Sequence, residues 1–223
     1  MIRLLLLAVC FLPSALFAQA AVSRDLEIRF LAERSPKDIG KVVMAIEEKR
    51  SEAFDLPSNY LSIPYNPPAR TFSLRTTTPD VPLATIVLPE DGKAFVVILV
   101  PAKEGGFKPI VIRSDDTGFR QGDVYFYNHC PKLVLGYVGT AKFSLEPAKG
   151  LVLHPGGARS ENFYDVGFGV REEKGDRILS NTRWPVDDKV RSYVFFFVNP
   201  VTGRIDFRAV EEFIPPVVKA EQQ

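Results

Sequence analysis

Apolar and polar residues alternate along short stretches of the chain. LEIRFLA at 26–32 places its large apolar residues on one face, and RTFSLRT at 70–76 repeats this alternation. A period of two is typical of β-strands with one buried face. Two continuous apolar runs, at 94–100 and 193–198, predict strands that are covered on both faces.

Turn signals rich in Gly and Pro, such as PEDGK, KEGGF and NPVTG, separate these runs. Only KVVMAIEEKR at 41–50 could form a helix, and it lacks an apolar stripe of helical period. Many short strands with such turns indicate an all-β sandwich or barrel. We therefore predict an all-β fold.

The second half of the chain repeats the landmarks of the first half in the same order. RFLAERSPK at 29–37 aligns with VYFYNHCPK at 124–132, IPYNPPAR resembles LHPGGAR, and LPEDGK resembles WPVDDK. These matches predict a duplicated unit of about 100 residues, the size of one immunoglobulin-like sandwich. The alignment also favours a strand at 41–50 and a linker at 115–122.

The predicted organisation is two tandem immunoglobulin-like β-sandwiches after a cleaved signal peptide. The sandwiches are placed at 24–114 and 118–215, and a flexible tail at 216–223 follows them. The alternative is a single larger sandwich built from both halves.

The N-terminus has the pattern of a secretory signal peptide. Arg3 precedes an apolar run at 4–17, and Ala18-Gln19-Ala20 resembles a cleavage site. The run is shorter than the ~20 apolar residues that span a bilayer. We predict a signal peptide at 1–20 with cleavage after Ala20, and a periplasmic or extracellular protein.

Charge and cysteine content narrow the function further. Cleavage would remove one basic residue from the 28 Lys and Arg, leaving them balanced by 27 Asp and Glu. A balanced chain has no field that attracts nucleic acid, so we expect no nucleic-acid partner. No second long apolar run follows, so we expect no membrane insertion after cleavage. Cys130 would be the sole cysteine, and stability must come from the core.

His129 and Cys130 are adjacent, but successive residues leaving a strand point to opposite sides, which disfavours a catalytic pair. We interpret them as part of a turn. His154 is the only other histidine, and no metal-ligand spacing joins the three residues. Loop carboxylates such as Asp187 and Asp188 leave calcium as an alternative without a motif. Hydrolase signatures are absent from the sequence, so we predict no catalytic residues, no cofactor and no enzyme.

The predicted interaction surface consists of aromatic residues and one cation. Trp184, beside Arg183, is either a stacking platform or a packed residue at the end of a strand, and packing is the favoured interpretation. Tyr125 and Tyr127 share one face of their strand. They either form a contact surface or face the second sheet or the sister domain.

The first half resembles a known family. Its segments RFLAERSPK, NYLSIPYNPPARTFSLRT and LATIVLPEDGKAFVVILV are similar to a widespread bacterial secreted domain family of unknown function. The resemblance covers residues 26–112 and, more faintly, 121–211, and Arg34 stands where that family often has His. It implies an immunoglobulin-like sandwich in an exported protein, and it implies no activity.

We therefore expect an exported, non-catalytic binding or structural module of the bacterial envelope, with an envelope protein or a glycan as its partner. A carbohydrate-active or other hydrolase on a single larger sandwich is the first alternative. A metal-binding sandwich, in which His129, Cys130 and His154 converge, is the second.

Overall fold

A computed structural model describes residues 25–36 and 38–214, and the regular secondary-structure elements in these residues are all β-strands. The predicted all-β fold is therefore confirmed. Within those residues there is no helix with the length and apolar character to cross a membrane. The predicted signal peptide at 1–20 and tail at 216–223 lie outside the described residues.

The described part of the chain contains fifteen strands, and the linker at 115–122 divides them into two groups. The first group comprises β1 (Glu27–Ala32), β2 (Val42–Ile46), β3 (Lys49–Arg50), β4 (Thr71–Thr76), β5 (Pro82–Val87), β6 (Ala94–Pro101) and β7 (Phe107–Arg113). The second group comprises β8 (Val124–Asn128), β9 (Val134–Val138), β10 (Ala141–Leu145), β11 (Gly150–Leu153), β12 (Phe163–Glu172), β13 (Gly175–Pro185), β14 (Val190–Val198) and β15 (Ile205–Phe213). Because β2 and β3 occupy 41–50, the predicted strand there is correct.

Each group forms two sheets around an apolar core. In the first half, the sheet β1-β6-β7 packs on β3-β2-β4-β5, and Phe30 and Phe72 lie in the core between them. In the second half, β11-β8-β14-β15 packs on β10-β9-β12-β13 around Phe126 and Phe168. The alternation of apolar residues along the strands supplies these buried faces.

The two halves pair their strands in the same way. The sheets that contain β6 and β14 are here called the inner sheets. In the first of them, β1 is parallel to β6 and β6 is antiparallel to β7. In the second, β8 is parallel to β14 and β14 is antiparallel to β15. The other two sheets are here called the outer sheets. In the first of them, β2 pairs with β4 and β4 pairs with β5, and in the second, β9 pairs with β12 and β12 pairs with β13. The strand order differs from that of an immunoglobulin sandwich. In an immunoglobulin sandwich the first two strands share a sheet, whereas β1 and β2 lie in different sheets here.

The inner-sheet ladders correct the alignment of the halves near β8. Ile28 lies opposite Phe95, and Val124 lies opposite Ser192, so Ile28 and Val124 are equivalent core residues. The alignment from sequence was displaced there by one residue, because it superposed prolines in the turns. Such a displacement exchanges the two faces of a strand.

The inner sheets of the two halves pack against each other and enclose a third apolar core, here called the middle layer. Equivalent positions of both halves supply it: Leu31 and Tyr127, Val96 and Tyr193, Ile98 and Phe195, Val100 and Phe197, and Ile112 and Val210. The inner strands β6 and β14 are therefore covered on both faces, as their continuous apolar runs predict. The result is a stack of four sheets.

A buried ion pair lies beside the middle layer. Arg191 Nη2 lies 2.8 Å from Glu212 Oε2, and the hydroxyl of Tyr193 donates to the same oxygen at 2.8 Å. Arg191 also donates to the carbonyl of Ser114 at 2.6 Å, and its guanidinium lies 4.8 Å from the ring centre of Phe119. Burial, followed by the charge of Glu212, raises the pKa of Tyr193. These contacts fasten the linker to the second half.

The middle layer gives a stability prediction. Phe195 is fully buried in it, so Phe195→Ala should lower the free energy of unfolding by about 3–5 kcal/mol through lost burial and a cavity. Denaturant unfolding followed by circular dichroism measures this change. Val201→Ala is the control, because Val201 is 91% exposed and its loss should matter by less than about 0.5 kcal/mol. Equal effects of the two substitutions would contradict the layer.

Candidate functional site

A cavity of about 440 Å³ opens at one end of the second sandwich. Its wall consists of the starts of β8, β12 and β14, the ends of β9 and β13, the two residues after β11, part of β15, the linker and the β13–β14 loop. Ligand pockets in proteins typically measure roughly 300–1,000 Å³. The cavity is therefore large enough for a small molecule or for one group of a larger ligand.

The cavity exists because the second half has small residues where the first half fills its core. The ladders match Phe95 with Ser192 on β6 and β14, and Val111 with Ala209 on β7 and β15. Phe95 is fully buried in the first core and Val111 packs against it. Ser192 and Ala209 line the cavity instead.

Loss of a third side chain enlarges the space. Leu26, two residues before Ile28, is buried in the first core, whereas Gly122, two residues before Val124, lines the cavity. The same strand plan is therefore packed solid at one end of the first half and hollow at the matching end of the second.

Two aromatic rings form one wall. Tyr164 on β12 lies directly opposite Trp184 on β13, and both side chains line the cavity. Trp184 also meets Phe168 of the second core at 5.6 Å between ring centres, with the planes at 62°. The Tyr164 ring rests on Gly139, whose φ is +60°. A Cβ on Gly139 would lie 2.9 Å from that ring and 1.8 Å from the carbonyl oxygen of Gly156.

A carboxylate and an imidazole meet on another wall. Asp123 is only 5% exposed, and its Oδ1 lies 2.7 Å from Nδ1 of His154. Its Oδ2 accepts the backbone N–H of Arg120 at 2.6 Å. The carboxylate therefore fixes the orientation of an imidazole that remains half exposed beside the cavity.

Three further carboxylates lie at the rim. Asp187 and Asp188 belong to the loop between β13 and β14, and Glu211 lies on β15. Asp187 accepts the backbone N–H of Lys189 at 2.8 Å. Among the residues that the structure describes, no ion pair involves these three carboxylates, and Arg120 is the one guanidinium lining the cavity. The lining is therefore acidic in balance.

Trp184 combines both roles that its sequence position suggests, because one side packs on the second core and the other faces the cavity. Arg183, its neighbour, is not among the cavity residues. Its guanidinium lies 4.5 Å from the ring centre of Phe163 and its Nε 3.8 Å from Asp165 Oδ1. The structure does not join Arg183 to Trp184 in one surface.

Tyr125 and Tyr127 do not form an external contact surface. Tyr127 is buried in the middle layer and Tyr125 packs against that layer. Burial raises the pKa of Tyr125 to about 12, and it also raises the pKa of Tyr127. The sister half covers this face of β8, which is the alternative that the sequence analysis left open.

His129 and Cys130 lie in the connection between β8 and β9 and do not bond to each other. Nδ1 of His129 contacts the buried carboxylate of Glu33 in the first half. The Cys130 thiol donates to Oδ1 of Asn128 at 2.8 Å, and burial raises its pKa. This arrangement fits a structural turn.

The structure does not gather a set of metal ligands from the sequence candidates. His129 and Cys130 follow β8, whereas His154 contacts Asp123 just before β8, at the other end of that strand. Within residues 25–36 and 38–214, no three His, Cys, Asp or Glu side chains are placed to hold a metal ion. The convergence that the metal-binding alternative requires is not observed.

The sequence pattern points to Trp184 but reveals neither the cavity nor the pairing of Asp123 with His154. These two residues are 31 positions apart and meet because β11 pairs with β8. The signal that could have revealed the site was the contrast between Phe95 and Ser192 in corresponding strands. This contrast becomes visible only when the two halves are aligned in the correct register.

Comparison with protein-family models and with curated proteins finds no match for this chain.

The thiol gives a prediction of its own. In the protein without residues 1–20, Cys130 is the sole cysteine, and its raised pKa leaves less thiolate at any given pH. Reaction with Ellman's reagent at pH 8 should be at least about 100-fold slower in the native protein than in guanidinium chloride. Equal rates in both states would show that the thiol is exposed and available for chemistry.

Proposed function

We propose that the protein is an exported, non-catalytic binding module of the bacterial envelope, and that its ligand occupies the cavity of the second sandwich. The observation that carries this proposal is the replacement of Phe95 by Ser192 at equivalent positions. Hollows in a core lower stability. The first half shows that the same strand plan can be filled, so an aromatic-walled hollow in the second half favours binding.

Features of the sequence support export. The basic start, apolar run and A-x-A site at 1–20 fit a signal peptide, and the resemblance to a secreted family agrees with a periplasmic or extracellular location. We further propose that the two groups of strands are tandem sandwich units, at 24–114 and 118–215. An envelope glycan or protein would present its binding group to the cavity.

A hydrolase is the second candidate, because a histidine oriented by a buried carboxylate is what a general base requires. Ser192 lines the same cavity and is the nearest candidate nucleophile by position. In the described part of the chain, however, the only side-chain hydrogen bond of His154 is to Asp123. The serine is not held as an activated nucleophile, and binding is favoured.

Filling the cavity tests the proposal. We expect the substitution Ala209→Val to abolish binding. The double substitution Ser192→Phe with Ala209→Val should have the same result and fill the cavity more completely. The reason is that a Phe and a Val side chain fill the equivalent space in the first half. The free energy of unfolding of Ala209→Val should stay within about 1 kcal/mol of the parent value. Trp184 is the sole tryptophan, so its fluorescence reports directly on the cavity.

The probes are panels of neutral saccharides, amines, carboxylates and short cell-wall peptides. Ser144→Phe is the matched control, because Ser144 is an exposed residue on β10 and is not among the cavity residues. Binding that persists in the filled variants, or a panel that leaves the Trp184 emission unchanged, would contradict the proposal. Chemical conversion of a probe that His154→Ala abolishes would favour the hydrolase.

A further inference from the structure

The two rings of the cavity wall suit a positive charge. Trp184 and Tyr164 stand side by side on neighbouring strands and both line the cavity. A cation within about 6 Å of an aromatic ring centre is attracted by the electron-rich face of the ring, most strongly at Trp. The packing of Trp184 against Phe168 holds its ring in place before any ligand arrives.

The carboxylates around these rings supply the matching negative charge. Asp123 is buried at the cavity wall, and Asp187, Asp188 and Glu211 lie at the rim. The opposing cation is Arg120, which is exposed, so solvent screens its charge. His154 would add a second positive charge only in its protonated form.

One of these four carboxylates, Glu211, has no acidic counterpart in the filled half. Glu211 lies opposite Ser192 in its ladder, and the corresponding residue opposite Phe95 is Arg113. Arg113 points its guanidinium to Asp115, at 3.2 Å. The equivalent position therefore carries the opposite charge where the space is filled.

We infer that the cavity binds a small organic ammonium ion, either free or as the charged group of a larger molecule. This inference rests on the proposed binding function. The aromatic wall would contact the alkyl groups around the nitrogen, and the carboxylates would balance its charge in a recess where electrostatic attraction exceeds that in open water. An anionic ligand would meet four carboxylates and is disfavoured.

The test is a fluorescence titration of Trp184 in the chain without residues 1–20. The probes are choline, ethanolamine and Nα-acetyl-lysinamide. Choline carries a quaternary ammonium group, ethanolamine carries a primary one, and Nα-acetyl-lysinamide carries the primary ammonium of a lysine side chain. 3,3-Dimethylbutan-1-ol is the neutral isostere of choline, and N-acetylglucosamine represents neutral saccharides. We expect at least one ammonium probe to bind about tenfold or more tightly than either neutral probe.

Two variants check that the carboxylates are responsible. Glu211→Gln should weaken binding of the ammonium probe about fivefold, because it removes one charge and keeps the shape. Glu90→Gln is the matched control, since Glu90 lies in the first half with a side chain 95% exposed, and it should leave affinity unchanged. Raising the salt concentration from about 0.05 to 0.5 M should weaken binding in the parent protein.

The outcomes separate this inference from the proposal on which it rests. If no ammonium probe binds more tightly than both neutral probes, the ammonium assignment is overturned. A saccharide that binds the parent but not the filled Ala209→Val variant would also overturn it, while leaving the binding function in place. Failure of every probe to alter Trp184 emission would count against both.

Discussion

The contact between the two inner sheets is the constraint on which the rest of the structure depends. β6 and β14 each bury one face in their own sandwich and the other face in the middle layer. If the halves were separated, both inner sheets would expose broad apolar surfaces, and soluble proteins rarely leave such patches open. Beside this layer, Glu212 accepts hydrogen bonds from both Arg191 and Tyr193. The two halves are consequently parts of one four-sheet stack.

Within that stack the halves differ at one end. The first half is filled by Phe95 and Val111, and the second is hollow because Ser192 and Ala209 stand in their places. A core that is hollowed at one end loses burial there, and the extensive middle layer offsets that loss elsewhere in the molecule. The first half is filled at this end, whereas the second half carries a cavity with its own charge and aromatic lining.

Short-range patterns predicted most of the fold, whereas pairing between distant segments decided the site. Alternation of residue type predicted the strands, and the Gly and Pro turns predicted where they end. The proline-based alignment matched Leu88 with Trp184 correctly, because both outer sheets have a register shift at equivalent points. At β8 the same alignment was displaced by one residue. Tyr125 and Tyr127 show the same limit: a sequence reveals that a face is apolar, but not which sheet will cover it. The meeting of Asp123 with His154 likewise depends on strand pairing.

The contact between Glu33 and His129 joins equivalent positions of the two halves. Each residue directly follows its inner strand, β1 or β8, and donates its backbone N–H to the neighbouring strand at the equivalent point. Equivalent positions therefore face each other at this point, as they do across the two-fold axis of a homodimer. In such a homodimer, identical side chains would face each other at the axis, and two buried glutamates would repel. In the single chain the two positions carry different residues, so that an acid meets a base there.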